Sequence, residues 1–397
     1  MSNLNETAAA FRVHIAFFGR RNAGKSSLVN AFTGQSLSVV SPVKGTTTDP
    51  VSKAMELQPL GPVQIIDTPG MDDRGELGAL RVAQAKKVLD KTDLAIVVTD
   101  AAEPVSEADL ALLSLLRERQ IPYLLVRNKI DLPNALPRNS GEIGVSALTG
   151  EGVGELRSLA AQTAKPRQSE GHLVGDLLKP GDGVVLVVPI DKAAPKGRLI
   201  LPQQQTIRDI LDAGACALVC RDTELTETLS RLAQPPKLVI TDSQVFGKVN
   251  AIVPPEIPLT SFSILMARFK GNLCQAVAGA AVADTLKDGD KVLIAEGCTH
   301  HRQCEDIGTV KLPGWLRRHT GSEPEFHFVS GGDFPENLEP YKLVIHCGGC
   351  MLTPTHMATR YQTCKSQNVP ITNYGILIAH LNGILNRTLS VFHKEIG

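Results

Sequence analysis

Aromatic residues are scarce in this chain: one Trp, four Tyr and 11 Phe among 397 residues, 4% in all. That leaves little with which to build a stacking platform for RNA or single-stranded DNA. Net charge is also absent, because Lys+Arg and Asp+Glu each number 41. Proteins built mainly to hold nucleic acid carry a basic excess, so nucleic acid is not expected as the main partner. Long apolar runs are missing too. The longest candidates, VVLVVPI (184–190) and QAVAGAAVA (275–283), fall well short of the roughly 18–20 residues a membrane span needs. The N-terminus, MSNLNETAAAF, has neither a basic n-region nor an apolar h-region. A cytoplasmic protein without a membrane partner is expected. In that compartment its eight cysteines favour metal binding or reactive thiols over disulfides.

What is present is an ordinary globular balance, 43% apolar and 21% charged, over a length that calls for several domains. FRVHIAFFG (11–19) reads as a buried strand. GRRNAGKSS (19–27) follows and matches G-x-x-x-x-G-K-S, and SSLVNAFTG continues with helical spacing. Strand, glycine loop and helix form the setting in which backbone amides cradle phosphates. Gly19, Asn22, Gly24, Lys25, Ser26 and Ser27 are therefore candidate nucleotide contacts. Lys25 would reach the β and γ phosphates, and the Ser26 hydroxyl would ligate Mg²⁺.

VQIIDTPG (63–70) ends a second strand. Its Asp67 suits an outer contact to Mg²⁺, and the Gly70 amide suits the γ phosphate. YLLVRNKID (123–131) brings Asn128, Lys129 and Asp131. Asp131 can accept from both guanine N–H edges, which adenine cannot offer. SAL (146–148) supplies Ser146 and Ala147 to a last base-contacting loop. This ordered series, with Thr46–Thr48 between, resembles the TRAFAC-class GTPases over about 160 residues. The resemblance adds Thr48 as a Mg²⁺ ligand and makes Lys25, Ser26, Thr48, Asp67 and Gly70 the hydrolytic set. Met71 stands where Ras-like proteins place a water-orienting glutamine, so intrinsic hydrolysis is expected to be slow. Asn22 and GTTTDP (45–50) resemble the Era/TrmE-like branch, where an equivalent asparagine commonly ligates K⁺. A plain turn-forming role for Asn22 is the competing reading.

Beyond the polar stretch 163–172, apolar strands alternate with helices, as in a small parallel α/β domain. Cys216 and Cys220 read as core residues there, and an edge strand could pair two protomers into a homodimer. A proline-rich boundary near 253–263 precedes a further α/β region. The expected fold class is α/β with three domains: a P-loop GTPase (1–165), a dimerisation domain (172–258) and a ligand-binding domain (262–397).

In the last region, CTHHRQC (298–304) follows the strand KVLIAEG, and HCGGC (346–350) ends the strand YKLVIH. If the sheet is parallel, Cys298, Cys347 and Cys350 share its carboxyl edge, where open α/β sheets bind ligands. His300, His301, His346 and Cys304 are candidates for a fourth ligand. Spacing alone leaves structural zinc and an iron–sulfur cluster with one exchangeable iron equally open. Cys274 and Cys364 lie outside the pattern, and His356 reads as a surface residue at a helix start.

C-x-H, a long spacer and H-C-x-x-C behind an N-terminal GTPase resembles the [FeFe]-hydrogenase maturation GTPases (HydF) over the whole chain. The resemblance implies a [4Fe–4S] cluster on Cys298, Cys347 and Cys350, with His346 or His300 at a labile fourth position. It implies a scaffold that receives a di-iron subcluster made with the radical-SAM maturases HydE and HydG and delivers it to the apo-hydrogenase HydA. GTP hydrolysis, K⁺-stimulated, would switch these interactions. The alternative is an Era/TrmE-like RNA- or ribosome-associated GTPase with a structural zinc module.

Overall fold

Strand β1 (Val13–Gly19) is buried at every position, as an unbroken apolar run requires when both faces of a sheet are covered. Its alternate side chains serve two cores. Ile15 and Phe17 pack with Phe32 and Ile65 on one face, and Ala16 and Phe18 pack with Leu89 and Val97 on the other. The remaining strands of this sheet are β2 (Val51–Leu57), β3 (Gly61–Asp67), β4 (Leu94–Asp100), β5 (Tyr123–Asn128) and β6 (Glu142–Val145). Their order is β2-β3-β1-β4-β5-β6, with β2 antiparallel at one edge and all other pairs parallel. The structure is a computed structural model that describes residues 9–34, 50–70, 84–164, 172–190, 199–297 and 306–396. The chain divides into two compact units, Met1–Gln168 and Ser169–Gly397.

The second unit holds two four-stranded parallel sheets. The first comprises β7 (Gly183–Val187), β8 (Cys216–Cys220), β9 (Leu238–Thr241) and β10 (Leu259–Ser261), in the order β10-β9-β7-β8. The second comprises β11 (Lys291–Glu296), β12 (Glu325–Ser330), β13 (Leu343–His346) and β14 (Ile371–Asn373), in the order β12-β11-β13-β14. Numbered within each sheet, both orders are 2-1-3-4. The expected α/β class is therefore what the chain adopts, a P-loop GTPase sheet followed by parallel-sheet α/β structure.

The two sheets belong to an internal repeat. LKPGDGVVLVVP (178–189) matches LKDGDKVLIAEG (286–297), and IPLTSFSILMARFKGNL (257–273) matches VPITNYGILIAHLNGIL (369–385). Backbone bonds agree position by position. Lys179 N donates to Asp182 Oδ2 at 2.8 Å, and Lys287 N to Asp290 Oδ2 at 2.9 Å. Val239 N meets Pro258 O at 3.0 Å, and Val344 N meets Pro370 O at 2.9 Å. The copies pack reciprocally: the helix Leu273–Ala280 lies along β14, and the helix Leu385–Leu389 along β10. Gly279 permits the first contact, since a Cβ there would sit 2.0 Å from Ile371 O. One continuous apolar core runs through both copies.

Two readings of single residues need correction. Cys216 is exposed and Cys220 half-buried, because β8 is an edge strand and its sequence register does not reveal that. His356 does open a helix, Pro354–Ser366, but it is buried, at 9% exposure. No helix among the described residues is long and apolar enough to cross a membrane.

Candidate nucleotide and metal sites

The loop after β1 turns through Asn22 and Gly24, both left-handed with φ 63° and 79°. It then enters the helix Lys25–Thr33. Asn tolerates that backbone region better than most residues, so a turn-forming role for Asn22 is satisfied by its geometry. Gly24 is required by space as well, since a Cβ would lie 2.3 Å from Asn128 Nδ2. Asp67, at the end of β3, gathers two of the other catalytic candidates. Ser26 Oγ donates to its Oδ2 at 2.7 Å, and Lys25 Nζ stands 3.2 Å from its Oδ1. A carboxylate beside a serine hydroxyl and a lysine ammonium fits a Mg²⁺–phosphate centre.

Asn128 ties the two ends of the nucleotide site together. Its Nδ2 donates to Ala23 O at 2.9 Å, and its Oδ1 accepts from Ala147 N at 3.1 Å. Lys129 adopts φ 69° and holds Asp100 at 2.6 Å. Burial pushes the Asp100 carboxyl up, but the Lys129 hydrogen bond, the Ala102 amide and the Lys129 and Arg127 charges together keep it below the usual range. Ser146 is fully buried, and its Oγ accepts from Thr149 N at 3.1 Å, which closes the last loop. Asp131 is exposed, three residues past the end of β5. Gly19 ends β1, Ser27 lies in the first turn of the helix Lys25–Thr33, and Gly70 is in the loop three residues past β3. Thr48 and Met71 lie outside the described residues.

In the second unit, β11 and β13 are adjacent and parallel, with Ala295 opposite His346. Gly297 N donates to Cys347 Sγ at 3.0 Å, and Gly349 N donates to the same sulfur at 3.3 Å. Amide donors of this kind stabilise thiolate and cluster sulfur. Gly349 has φ 62°, and a Cβ there would come 2.5 Å from Met357 Sδ, so only glycine fits this turn. Cys350 is half-buried. Burial raises its thiol pKa, and the Lys270 ammonium opposes that rise. Lys270 is itself lowered to about 8 by burial, with Cys350 and Cys347 acting the other way. It donates to Leu352 O. Cys298 is the residue after Gly297, but it lies outside the described residues, as do His300, His301 and Cys304.

His346 is fully buried, and both ring nitrogens are engaged. Nδ1 pairs with Cys347 O at 2.8 Å and Nε2 with Arg360 Nη1 at 2.8 Å. The guanidinium can only donate, so Nε2 accepts and Nδ1 carries the proton. Burial first, and the Arg360 charge second, lower its pKa to about 3. In this arrangement His346 presents no lone pair to the thiols. Two residues escaped the sequence reading altogether. Lys270 comes from the other repeat. Glu296 is a buried carboxylate at the end of β11 that accepts from Tyr374 Oη at 3.3 Å. Neither carries a motif: Glu296 arrives by the sheet order, and Lys270 by the packing of the helix Phe262–Phe269 that it ends.

Known proteins resemble the chain in parts. Residues 14–129 match the 50S ribosome-binding GTPase family, residues 173–271 the hydrogen maturase F dimerization domain, and residues 274–391 the hydrogen maturase F tetramerization domain. The tRNA modification GTPase MnmE of Bordetella petrii is 34% identical over 148 residues, 37% of this chain and 32% of that protein. GTPase Der of Sulfurimonas denitrificans is 36% identical over 128 residues, 32% of this chain and 26% of that protein. The chain thus spans about a third or less of these relatives' length. An Era structure from Aquifex aeolicus has 22% identity and a TM-score of 0.35, covering 52% of this chain and 92% of that one. With a GTPase domain followed by both hydrogen maturase F domains in series, the chain belongs to the hydrogen maturase F family of [FeFe]-hydrogenase maturation GTPases.

Proposed function

We propose that the chain is a GTP-switched scaffold that carries an iron–sulfur site and hands a di-iron precursor to apo [FeFe]-hydrogenase. The observation that carries this reading is the Gly297–Cys347 hydrogen bond. It sets the residue before Cys298 beside the first thiol of HCGGC, which supports a site that draws on both segments. Cys298, Cys347 and Cys350 would hold a [4Fe–4S] cluster. The donor set fits: two thiols at strand ends, backbone amides on one sulfur, and the buried Lys270 cation to offset cluster charge. When bound, the cluster supplies three thiolate-held irons and one exchangeable iron. His346 or His300 would fill the fourth position, and His346 joins only if its bond to Arg360 opens.

In the GTPase domain, Lys25, Ser26 and Asp67 would bind Mg²⁺ and the terminal phosphates, with Thr48 and the Gly70 amide completing the hydrolytic set. Asn128, Lys129, Asp131, Ser146 and Ala147 would select guanine. Asn22 would ligate K⁺. Residues 1–165, 172–258 and 262–397 then serve as the GTPase, dimerisation and cluster-binding parts. The edge strand β8 exposes Leu218 and Val219 and offers unpaired backbone for a second protomer. HydE and HydG would load the scaffold, and HydA would unload it. The test is replacement of each thiol by alanine in turn. Each variant is expected to lose bound iron and sulfide under anaerobic reconstitution, and wild-type loading in any of them would remove that residue from the ligand set.

A further inference from the structure

A second group of metal-type ligands lies away from the thiols. Asp284 sits in the 3-10 helix Ala281–Thr285, His319 in the last turn of the helix Leu312–Thr320, and His380 in the helix Tyr374–Leu381. His319 Nε2 is 2.7 Å from Asp284 Oδ1, and His380 Nε2 is 2.9 Å from the same oxygen. One ligand atom from each residue falls within 4.8 Å of the others. Around a single Zn²⁺, ligand atoms at about 2.0–2.2 Å stand about 3.3 Å apart, so each histidine nitrogen would draw back from the Asp284 oxygen by about half an ångström to admit a metal.

The internal repeat provides the comparison that separates a ligand set from an ordinary charge cluster. Asp176 and Asp284 each precede their matching LK-x-GD turns by two residues, and Arg268 and His380 fill the same place in the matching helices. In the first copy the pair is a two-pronged ion pair, Arg268 to Asp176 at 2.8 and 2.6 Å, reinforced by Glu395. That pair staples the helix to the turn without any metal. In the second copy the guanidinium, which cannot ligate, is replaced by an imidazole, and a second imidazole arrives from a third helix. Two imidazole nitrogens aimed at one carboxylate oxygen can close on a cation, whereas a guanidinium cannot ligate; as a staple they lack the two-pronged geometry of the arginine.

We propose that Asp284, His319 and His380 form a divalent-cation site of the two-histidine, one-carboxylate type, suited to Zn²⁺ or Fe²⁺. Three protein ligands leave at least one coordination position open. His319 also lines a cavity of about 450 Å³ together with Gln244, Lys248, Trp315, Arg318 and Asn382. His319 is the residue this cavity shares with the site, and two cationic side chains, Lys248 and Arg318, line the cavity beside it.

The test uses the full-length, cluster-reconstituted protein and Co²⁺ as a spectroscopic stand-in for Zn²⁺. Wild type is expected to bind one Co²⁺ with weak ligand-field bands, no sulfur charge-transfer band, and displacement by Zn²⁺. His380→Arg recreates the ion pair of the first copy, so it is expected to fold normally and to bind Co²⁺ at least about 100-fold more weakly. His319→Ala is expected to lose the same bands. Zn²⁺ is expected to raise the thermal midpoint of wild type and not that of either variant. Absence of the ligand-field bands in wild type, or bands unchanged in both variants, would overturn the site.

Discussion

The Gly297 amide donates to the Cys347 sulfur at 3.0 Å across two neighbouring parallel strands, β11 and β13. The contact exists because both strands end at the same level, with Ala295 opposite His346. It needs glycine on both sides of the thiol: a Cβ at 297 would press on Leu352 at 3.0 Å, and one at 349 on Met357 at 2.5 Å. The chain therefore brings two segments, far apart in sequence, to one electropositive edge.

Lys270 governs the charge at that edge. Its ammonium is buried, and it comes from the first repeat to face the thiols of the second. Lys270→Met is expected to retain iron and sulfide and to shift the cluster's reduction midpoint to more negative potential, because a nearby cation favours the reduced, more anionic state. A spectroelectrochemical titration reads this directly. A midpoint that stays put or moves positive would contradict the role.

Gly279 tests the reciprocal packing of the repeats. A methyl group there meets the Ile371 carbonyl at 2.0 Å, a backbone atom that cannot swing aside. Gly279→Ala is expected to cost about 1–3 kcal/mol in the second unit. Gly314→Ala is the control: it also lies in a helix, but a Cβ there meets nothing within 4 Å. That change is expected to be neutral or slightly stabilising. Denaturant unfolding of the two variants distinguishes them, and equal midpoints would contradict the packing.

His14 makes the first unit acid-sensitive. It is buried in β1, its Nε2 pairs with Ala9 O at 3.0 Å, and burial lowers its pKa to about 4. The unfolded chain takes up the proton near 6.5 and the folded chain only near 4. Stability from this group is thus nearly complete above about pH 6.5 and declines as pH falls toward 4, by about 3 kcal/mol. His14→Gln keeps a donor for Ala9 and removes the titration. Its unfolding midpoint is expected to fall less steeply than wild type between pH 6.5 and 4, and parallel pH profiles would argue against the assignment.

Asp131→Asn tests guanine selection separately from the metal site. Loss of charge-assisted bonds, each worth about 1.5–3 kcal/mol, is expected to weaken GTP binding at least tenfold. Iron and sulfide content is expected to stay at the wild-type level. Equal GTP affinity, measured by calorimetry, would contradict the base contact.

Much of the fold was legible because parallel strands buried on both faces write themselves as apolar runs: FRVHIAFFG, LAIVVTD, KLVITD and YKLVIH all became central strands. Cys216 and Cys220 were misread because burial of a strand depends on its rank in the sheet, and CALVC reads the same at an edge as at the centre. The engagement of His346 was not legible either. Arg360 is 14 residues away on a helix whose packing alone brings it to the ring. The Asp284–His319–His380 group joins residues 35 and 96 positions apart, and no motif spans such gaps. The repeat lay open in LKPGD and LKDGD, but it takes its meaning from two sheets of identical order.

The scaffold reading is tested most directly by metal and sulfide analysis of the full chain purified without oxygen. Iron and acid-labile sulfide near four each per chain are expected for a [4Fe–4S] cluster, of the order set by cluster chemistry, with both lost when Cys298, Cys347 or Cys350 is replaced by alanine. A colourless protein with zinc on the thiols and no sulfide would contradict it.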